Sequence, residues 1–210
     1  MKDESHLPVT EQSLMFRLRK RAEIRRQIPG RKSVEEGASD RIADLLEEAA
    51  DEIERLKMTK CYQLVGVPAS GKSTWIKDQI WALGLTVIST DPFVEDYARA
   101  QGKTYTEVFK DYMPTAVDLM AEQVVFAREH NHTVIWDQTS TTIASRARKF
   151  NMLPDYYHIA VVFRTPAIDV LKERLASRPG KEIPWEVVQG MIDNWEEPDE
   201  SEGFKEIWYV

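Results

Sequence analysis

The residues best suited to chemistry form one short motif that combines glycine, lysine and serine at a fixed spacing. The segment Gly66-Val-Pro-Ala-Ser-Gly-Lys-Ser73 fits G-x-x-x-x-G-K-[ST], follows an apolar run and precedes a segment with helical character. Such a loop and helix start offer backbone N–H groups to phosphate, while Lys72 would neutralise the β- and γ-phosphates and Ser73 would bind Mg²⁺. The motif predicts binding of ATP and Mg²⁺ through Gly66, Ala69, Ser70, Gly71, Lys72, Ser73 and Thr74.

Two aspartates stand where predicted strands end. Asp91 follows the run from Leu85 to Thr90, and Asp137 follows the run from Thr133 to Trp136. In open α/β sheets, ligands bind beyond the carboxyl ends of the strands. A carboxylate at that edge accepts the proton of an attacking hydroxyl or holds Mg²⁺, and the alternative is a helix cap. The neighbouring phosphate motif favours catalytic roles for both residues, with Mg²⁺ binding as a second role for Asp137.

A pair of arginines follows near the end of a predicted helix. Arg174 and Arg178 are four residues apart, and Pro179-Gly180 ends the helical pattern. Two guanidinium groups on one side of a helix bind adjacent phosphate oxygens and neutralise the charge of a transition state. A solvated basic helix end is the alternative, because cations also favour helix C-termini. We expect both arginines to bind the triphosphate and Arg178 to act in catalysis.

The elements that must position these residues alternate between strands and helices. This order predicts an α/β fold of the P-loop NTPase type, in which helices flank a parallel sheet. The predicted strands are Cys61 to Gly66, Leu85 to Thr90, Thr133 to Trp136, His158 to Phe163 and Phe204 to Val210.

An N-terminal helical hairpin is predicted over residues 1–57, in front of a kinase-like domain over residues 58–210. A basic helix from about Glu11 to Gln27 ends at Pro29-Gly30, and a second helix begins at Ser39 or Asp40. One interpretation is that basic and acidic faces neutralise each other while an apolar stripe packs on the main domain. The other is a nucleic-acid contact through the arginines. The stripe comprises Ile42, Leu45, Leu46, Ala49, Ile53 and Leu56.

Composition and charge narrow the class of protein. The net charge of −7 argues against coating of long duplex DNA, which requires a basic surface, but it leaves room for a local basic groove. The single cysteine, Cys61, excludes a disulfide within the chain and a thiolate zinc site. No apolar run reaches the length of a membrane span, so we expect a cytoplasmic protein without membrane contact.

From Lys60 to Trp195 the chain resembles the phage polynucleotide kinase group of P-loop kinases. The resemblance depends on four segments: the phosphate motif extended to Trp75, the Ser-Thr-Asp91 strand end, Val134-Ile-Trp-Asp137-Gln-Thr, and a lid-like stretch from Arg174 to Pro184. The resemblance implies that Asp91 contacts the acceptor hydroxyl and that Asp137 is a second acceptor-site carboxylate. It also implies that Arg178 is a lid arginine acting on the transferred phosphoryl group.

The chain departs from this family after the first aspartate. The family has an arginine there that helps to hold the acceptor end, whereas this chain reads Asp91-Pro-Phe-Val-Glu-Asp-Tyr97. That departure argues against 5′-end phosphorylation. A helical hairpin in front of such a kinase is similar to phage proteins that phosphorylate 5-hydroxymethyluracil within DNA. Three acceptors therefore stay open: a hydroxymethylated base in DNA, a polynucleotide 5′ hydroxyl, and a free nucleotide or nucleoside.

Aromatic side chains after Asp91 are candidates for stacking on an acceptor base. Phe93 and Tyr97 are nearest to the aspartate in sequence and are the first choice. The helical spacing of Tyr105, Phe109 and Tyr112 is more typical of a helix core. Basic residues after Asp137 are predicted either to contact acceptor phosphates or to form a solvated helix face. They are Arg146, Arg148 and Lys149.

Overall fold

A computed structural model describes residues 3–79 and 84–210, and the chain divides into two compact units, residues 1–58 and 59–210. The first unit contains helices α1 (Leu14–Arg25), α2 (Lys32–Glu35) and α3 (Arg41–Lys57). Ser13 caps α1 by accepting from the amide of Phe16, and Asp40 caps α3 by accepting from the amides of Ile42 and Ala43. These side chains use N–H groups that the first turn of a helix leaves unpaired.

Helices α1 and α3 are joined by ion pairs between their charged faces. Arg19 donates to Asp51 and Glu54, each at 2.6 Å, and Arg26 donates to Asp44 at 2.8 Å and Glu47 at 2.5 Å. This arrangement agrees with mutual neutralisation of the two faces. Asp40 also binds two arginines, Arg25 at 3.1 Å and Arg31 at 2.9 Å.

The fully buried side chains of α3 are different residues from those of the predicted apolar stripe. Ile42, Leu45 and Leu56 are exposed, whereas Ala43 and Ala50 are fully buried. The two alanines are seven residues apart, which places them on one side of the helix, two turns from each other. Small side chains on that side let a neighbouring segment of the first unit approach closely, and packing of the predicted stripe on the main domain stays a prediction.

The second unit is built on a five-stranded parallel sheet with strand order β2-β3-β1-β4-β5. Its α/β P-loop kinase-like fold confirms the fold class predicted from the sequence. The strands are β1 (Lys60–Val65), β2 (Leu85–Ile88), β3 (Thr133–Trp136), β4 (Tyr157–Val162) and β5 (Glu206–Tyr209). All residues of β4 are buried, as expected for an inner strand covered on both faces.

Helices connect the strands of this sheet and carry most of the polar side chains discussed below. They are α4 (Lys72–Gln79), α5 (Asp91–Ala100), α6 (Tyr105–Glu129), α7 (Ile143–Met152), α8 (Ile168–Ala176) and α9 (Trp185–Asp193), with a short 3₁₀ turn at Glu200–Glu202. Cys61 is fully buried in the core with Trp136 and Leu153. Within the parts of the chain that the structure describes, no helix combines the length and apolar character needed to cross a bilayer.

Candidate active site

The phosphate motif forms the loop between β1 and α4, and its backbone depends on glycine at two positions. A Cβ on Gly66 would lie 2.6 Å from Ser70 Oγ and 2.9 Å from Phe163 Cβ, so this position has no room for a side chain. Gly71 has φ of +112°, a conformation that L side chains rarely adopt. Ala69 lies in the left-handed region at φ of +63° without being glycine, which stores local strain of about 1 kcal/mol or more.

Lys72 is folded back into this loop. Its Nζ donates to the carbonyl oxygens of Gly66 and Val67, each at 2.7 Å. Burial lowers the pKa of Lys72 to about 8, and the nearby Asp137 carboxylate opposes that effect. The loop therefore holds a strongly desolvated cation beside the start of α4, and that cation becomes more favourable when anionic oxygens replace the carbonyls.

The loop also fits a triphosphate in two further respects. Ser70 Oγ is buried and has no hydrogen-bond partner among the described residues. Ser73 and Thr74 are exposed at the first turn of α4 and line a large cavity, where the N–H groups of a helix start attract anions. The narrow space that Gly66 leaves open would be filled by any larger residue. These residues fit phosphate binding, which is what the sequence motif predicts of them.

Asp91 is held by two side chains from distant parts of the sequence. The Tyr105 hydroxyl donates to its Oδ1 at 2.7 Å, and Lys181 forms an ion pair with its Oδ2. Lys181 Nζ also lies 3.6 Å from a carboxylate oxygen of Glu95 and 4.1 Å from the centre of the Tyr105 ring. Burial and the Asp91 carboxylate raise the pKa of the Tyr105 hydroxyl, so it stays a hydrogen-bond donor at neutral pH.

Asp137 lies immediately after β3 and beside the phosphate loop. Its amide donates to the carbonyl of Ile88 at 2.9 Å, which fixes the end of β3 against the end of β2. Burial raises the pKa of its carboxyl group, while the charge of Lys72 opposes the rise. A carboxylate in this environment is a better proton acceptor and cation ligand than one in water.

Arg174 and Arg178 line the same cavity, one from a helix and the other from the loop that follows it. Arg174 is on α8, and its Nη1 donates to the carbonyl of Ala69 at 3.2 Å. Helix α8 ends at Ala176, so Arg178 follows the helix and the prediction of two arginines on one helical face is wrong. Pro179 explains the early end, since proline disfavours helical backbone in the residue before it.

One cavity of about 1270 Å³ joins these side chains. Lys72, Asp91, Asp137 and Arg178 all line it, as do the remaining phosphate-loop residues from Pro68 to Thr74. Apolar side chains also line this cavity. Tyr105, Phe109 and Met113 belong to α6. Val187 and Met191 belong to α9, and Ile183 lies in the loop before that helix.

The aromatic residues nearest to Asp91 in sequence do not line this cavity. Phe93 packs against two clusters of buried core residues, and the Tyr97 ring stacks on Tyr112 with centroids 3.9 Å apart. The first-choice prediction for stacking on an acceptor is therefore wrong. Tyr105 and Phe109, predicted as helix core, are the aromatic residues in the cavity wall.

The basic residues of α7 also have a role that the sequence did not reveal. Arg146 is fully buried, pairs with Glu202 at 2.8 Å, and donates to the Ser140 carbonyl at 3.0 Å. Lys149 is buried, donates to the Ser140 hydroxyl, and has a pKa lowered to about 7 by burial. Both side chains fix the loop that follows Asp137, so a solvated face does not describe them, whereas Arg148 is exposed. Lys149 also lines the cavity, and its contact with an acceptor phosphate stays a prediction.

Lys181 and Tyr105 are the site residues that sequence reasoning missed as partners of Asp91. Lys181 follows a Pro-Gly turn, and Tyr105 opens α6 behind the capping residue Thr104. The Lys181-Glu-Ile-Pro184 sequence marked the stretch without identifying this lysine as a partner. The contacts join residues 14 and 90 positions apart, which no local pattern predicts.

Comparison with known proteins agrees with this architecture. A family model described as an AAA domain matches residues 62–198. A chain of the Pnkp1/Rnl/Hen1 RNA repair complex aligns at 21% identity and a TM-score of 0.51, over 65% of this chain and 44% of that one. A proposed kinase from Chloroflexus aurantiacus J-10-fl aligns at 18% identity and a TM-score of 0.56, over 73% and 88%. At these identities the two structures show a shared fold, and this chain spans less than half of the first.

Proposed function

The chain belongs to the AAA domain family, and on that premise we propose that it is an ATP-dependent kinase acting on DNA. The proposed acceptor is the hydroxymethyl group of 5-hydroxymethyluracil within phage DNA. The P-loop kinase-like fold supports phosphoryl transfer. The choice of acceptor is supported by the walls of the cavity next to Asp91.

The observation that carries the kinase proposal is the convergence of four side chains on one cavity. Lys72 and Arg178 bring positive charge from distant positions in the sequence, and Asp91 and Asp137 bring carboxylates from the ends of neighbouring strands. A phosphoryl transfer needs cations on the moving phosphoryl group and a carboxylate near the attacking hydroxyl. A protein that only binds a nucleotide needs the loop but has no use for Asp91 with Arg178.

Each residue has a defined task in the proposed reaction. The acceptor hydroxyl oxygen forms a bond to the γ-phosphorus, and the bond from that phosphorus to the β–γ bridging oxygen breaks, with ADP leaving with the electron pair. Asp91 accepts the hydroxyl proton, and Lys72 and Arg178 neutralise the phosphate oxygens. Mg²⁺, when bound with ATP, would be held by Ser73 and Asp137 and would neutralise further charge.

Apolar and aromatic side chains line the same cavity as Asp91. They include Tyr105, Phe109, Met113, Val187 and Met191. A base inside a duplex must leave the stack to reach such a site, which costs a few kcal/mol. Stacking contacts with aromatic side chains recover about 1–3 kcal/mol each. Aromatic and apolar side chains in the same cavity as a proton acceptor therefore support a hydroxymethylated base as the acceptor.

The basic N-terminal helix contributes less to this proposal than its sequence suggests. Arg19, Arg25 and Arg26 already bind carboxylates of the hairpin. Arg17 and Arg21, within the described residues, are exposed and form no ion pair. They are spaced i, i+4 on α1, so they are the arginines that we propose for contact with a DNA backbone.

A polynucleotide 5′-hydroxyl kinase is the second candidate function. The observation in its favour is Lys181, which provides a cation beside Asp91 in a chain that lacks an arginine shortly after that residue. A nucleotide or nucleoside kinase is the third candidate, since the cavity volume of about 1270 Å³ also accommodates two small molecules.

The test compares acceptors with and without ends. Each acceptor is incubated with γ-labelled ATP and Mg²⁺. The acceptors are closed circular duplex DNA containing 5-hydroxymethyluracil, the same circle with thymine, linear DNA with a 5′ hydroxyl, RNA ends and free nucleosides. We expect label in the modified circle alone, and none with the Asp91→Asn variant. Label in linear unmodified DNA but not in the modified circle would establish the second candidate instead. Label confined to free nucleosides or nucleotides would establish the third.

A further inference from the structure

The loop between α8 and α9, residues 177–184 and here called the lid loop, carries one buried lysine. The Lys181 side chain is 10% exposed, although it follows a turn at the protein surface. Its Nζ lies between the carboxylates of Asp91 and Glu95 and over the ring of Tyr105. Two carboxylates and an aromatic face thus surround a single ammonium group.

The lid loop is also attached to the start of α6. The amide of Thr106 donates to the Gly180 carbonyl at 3.3 Å, and the amide of Glu182 donates to the Thr106 hydroxyl at 2.9 Å. Thr106 is the second residue of α6, where an amide has no partner within its own helix. The lid loop therefore supplies an acceptor for an amide that the Thr104 cap of α6 leaves unpaired.

The two carboxylate oxygens of Asp91 are each bound by a side chain from a different element. Tyr105 from α6 donates to Oδ1, and Lys181 from the lid loop binds Oδ2. The same lid loop follows α8, which carries Arg174, and includes Arg178. Asp91 is therefore connected to the arginine-bearing segment through Lys181.

We propose that Lys181 is a positioning residue that couples docking of the lid loop on α6 to the placement of the Asp91 carboxylate. This inference rests on the proposed function only in assigning Asp91 to the acceptor hydroxyl. Because the Lys181 ammonium group binds the Asp91 carboxylate directly, the lysine acts through Asp91. The Lys181–Asp91 pair therefore positions the Asp91 carboxylate when the lid loop is docked on α6, which is also when Arg174 and Arg178 line the cavity.

The first test measures lid docking without any substrate. Lys181→Met retains most of the buried stem but removes the charge, and Lys181→Arg retains the charge. Lys103→Met is the matched control, because Lys103 is exposed and lies just before α6. In hydrogen exchange, we expect the amides of Thr106 and Glu182 to exchange on the order of tenfold faster in Lys181→Met, as loss of one coupled contact predicts. Wild-type exchange in Lys181→Met would overturn the proposal.

The second test measures transfer to the acceptor identified by the circle experiment. Lys181→Met should lower kcat/KM for the acceptor on the order of tenfold, with the KM for ATP within about twofold, and Lys181→Arg should restore most of the loss. In the Asp91→Asn background, Lys181→Met should have no further effect. An equal loss in that background, or a raised KM for ATP, would contradict action through Asp91. If wild-type protein phosphorylates no acceptor, the proposed function fails, and hydrogen exchange alone decides the role of Lys181.

Discussion

Replacing Lys72 by methionine should abolish phosphoryl transfer and, in the absence of ATP, remove a pH-dependent cost to folding. Burial lowers the pKa of Lys72 from 10.5 to about 8. At about 1.4 kcal/mol per pKa unit, the folded protein therefore carries a cost of about 3 kcal/mol for keeping this lysine charged. The two hydrogen bonds to Gly66 and Val67 carbonyls offset part of that cost, at about 1 kcal/mol each.

The pH dependence of stability isolates this effect. Below about pH 8 the lysine is protonated in both states, so its cost is fully present. Between about pH 8 and 10.5 the unfolded chain keeps the proton that the folded protein releases, so the free energy of unfolding rises with pH. For Lys72 the expected rise between about pH 7 and pH 9.5 is about 2 kcal/mol. Lys149, with its pKa lowered to about 7, contributes a rise of its own in both proteins.

The assay is urea denaturation of wild type and Lys72→Met at several pH values, without nucleotide. Tryptophan fluorescence reports on the second unit, because all six tryptophans follow residue 58 in the sequence. The unfolding free energy of wild type should rise by about 2 kcal/mol relative to that of Lys72→Met as the pH rises from about 7 to about 9.5. Parallel curves would refute the reasoning, because they would show that the buried ammonium group carries no such cost. Near-normal transfer by Lys72→Met would refute the assignment of the phosphate loop.

Three further predictions concern single side chains. Asp91→Asn should lower kcat by about 10²-fold or more while the Kd for ATP stays within about twofold, as measured by single-turnover transfer and calorimetry. A changed Kd with unchanged kcat would make Asp91 a nucleotide-site residue. Arg178→Ala should slow transfer on the order of 10³-fold with a smaller effect on ATP binding, and a loss of only a few fold would indicate a solvated side chain. Arg146→Met should destabilise the protein by about 3–5 kcal/mol in urea denaturation, and the double variant with Glu202→Gln should recover part of the loss. Equal stability of Arg146→Met and wild type would contradict a structural role for this buried pair.

The sequence predicts well those features that depend on short stretches of chain. The phosphate loop needs a glycine pattern, a preceding strand and a following helix, and all three are local. All five strands begin and end within two residues of their predicted bounds. The common location of Asp91 and Asp137 was predictable, because each follows an apolar run and a parallel sheet brings the carboxyl ends of its strands to one edge.

Features that depend on contacts between distant residues were not predictable. Phe93 is two residues after Asp91 at the start of a helix, and successive helical residues are rotated by about 100°, so the two side chains point in different directions. Arg146 and Lys149 read as a solvated basic face, because the partner Glu202 is 56 positions from Arg146. Pairing of Lys181 with Asp91 likewise depends on how a turn folds over a helix 90 positions earlier.

The strand order has a consequence for how this enzyme can be re-engineered. The phosphate loop follows the central strand β1, whereas the chain between β2 and β3, residues 89–132, runs without a break through α5 and α6. That one insert provides Asp91 together with Tyr105, Phe109 and Met113, and the strands at its two ends pair directly with each other in register. A graft of this insert between relatives would carry these side chains together, whereas Lys181 and the α9 side chains Val187 and Met191 lie outside it and would have to be transferred too.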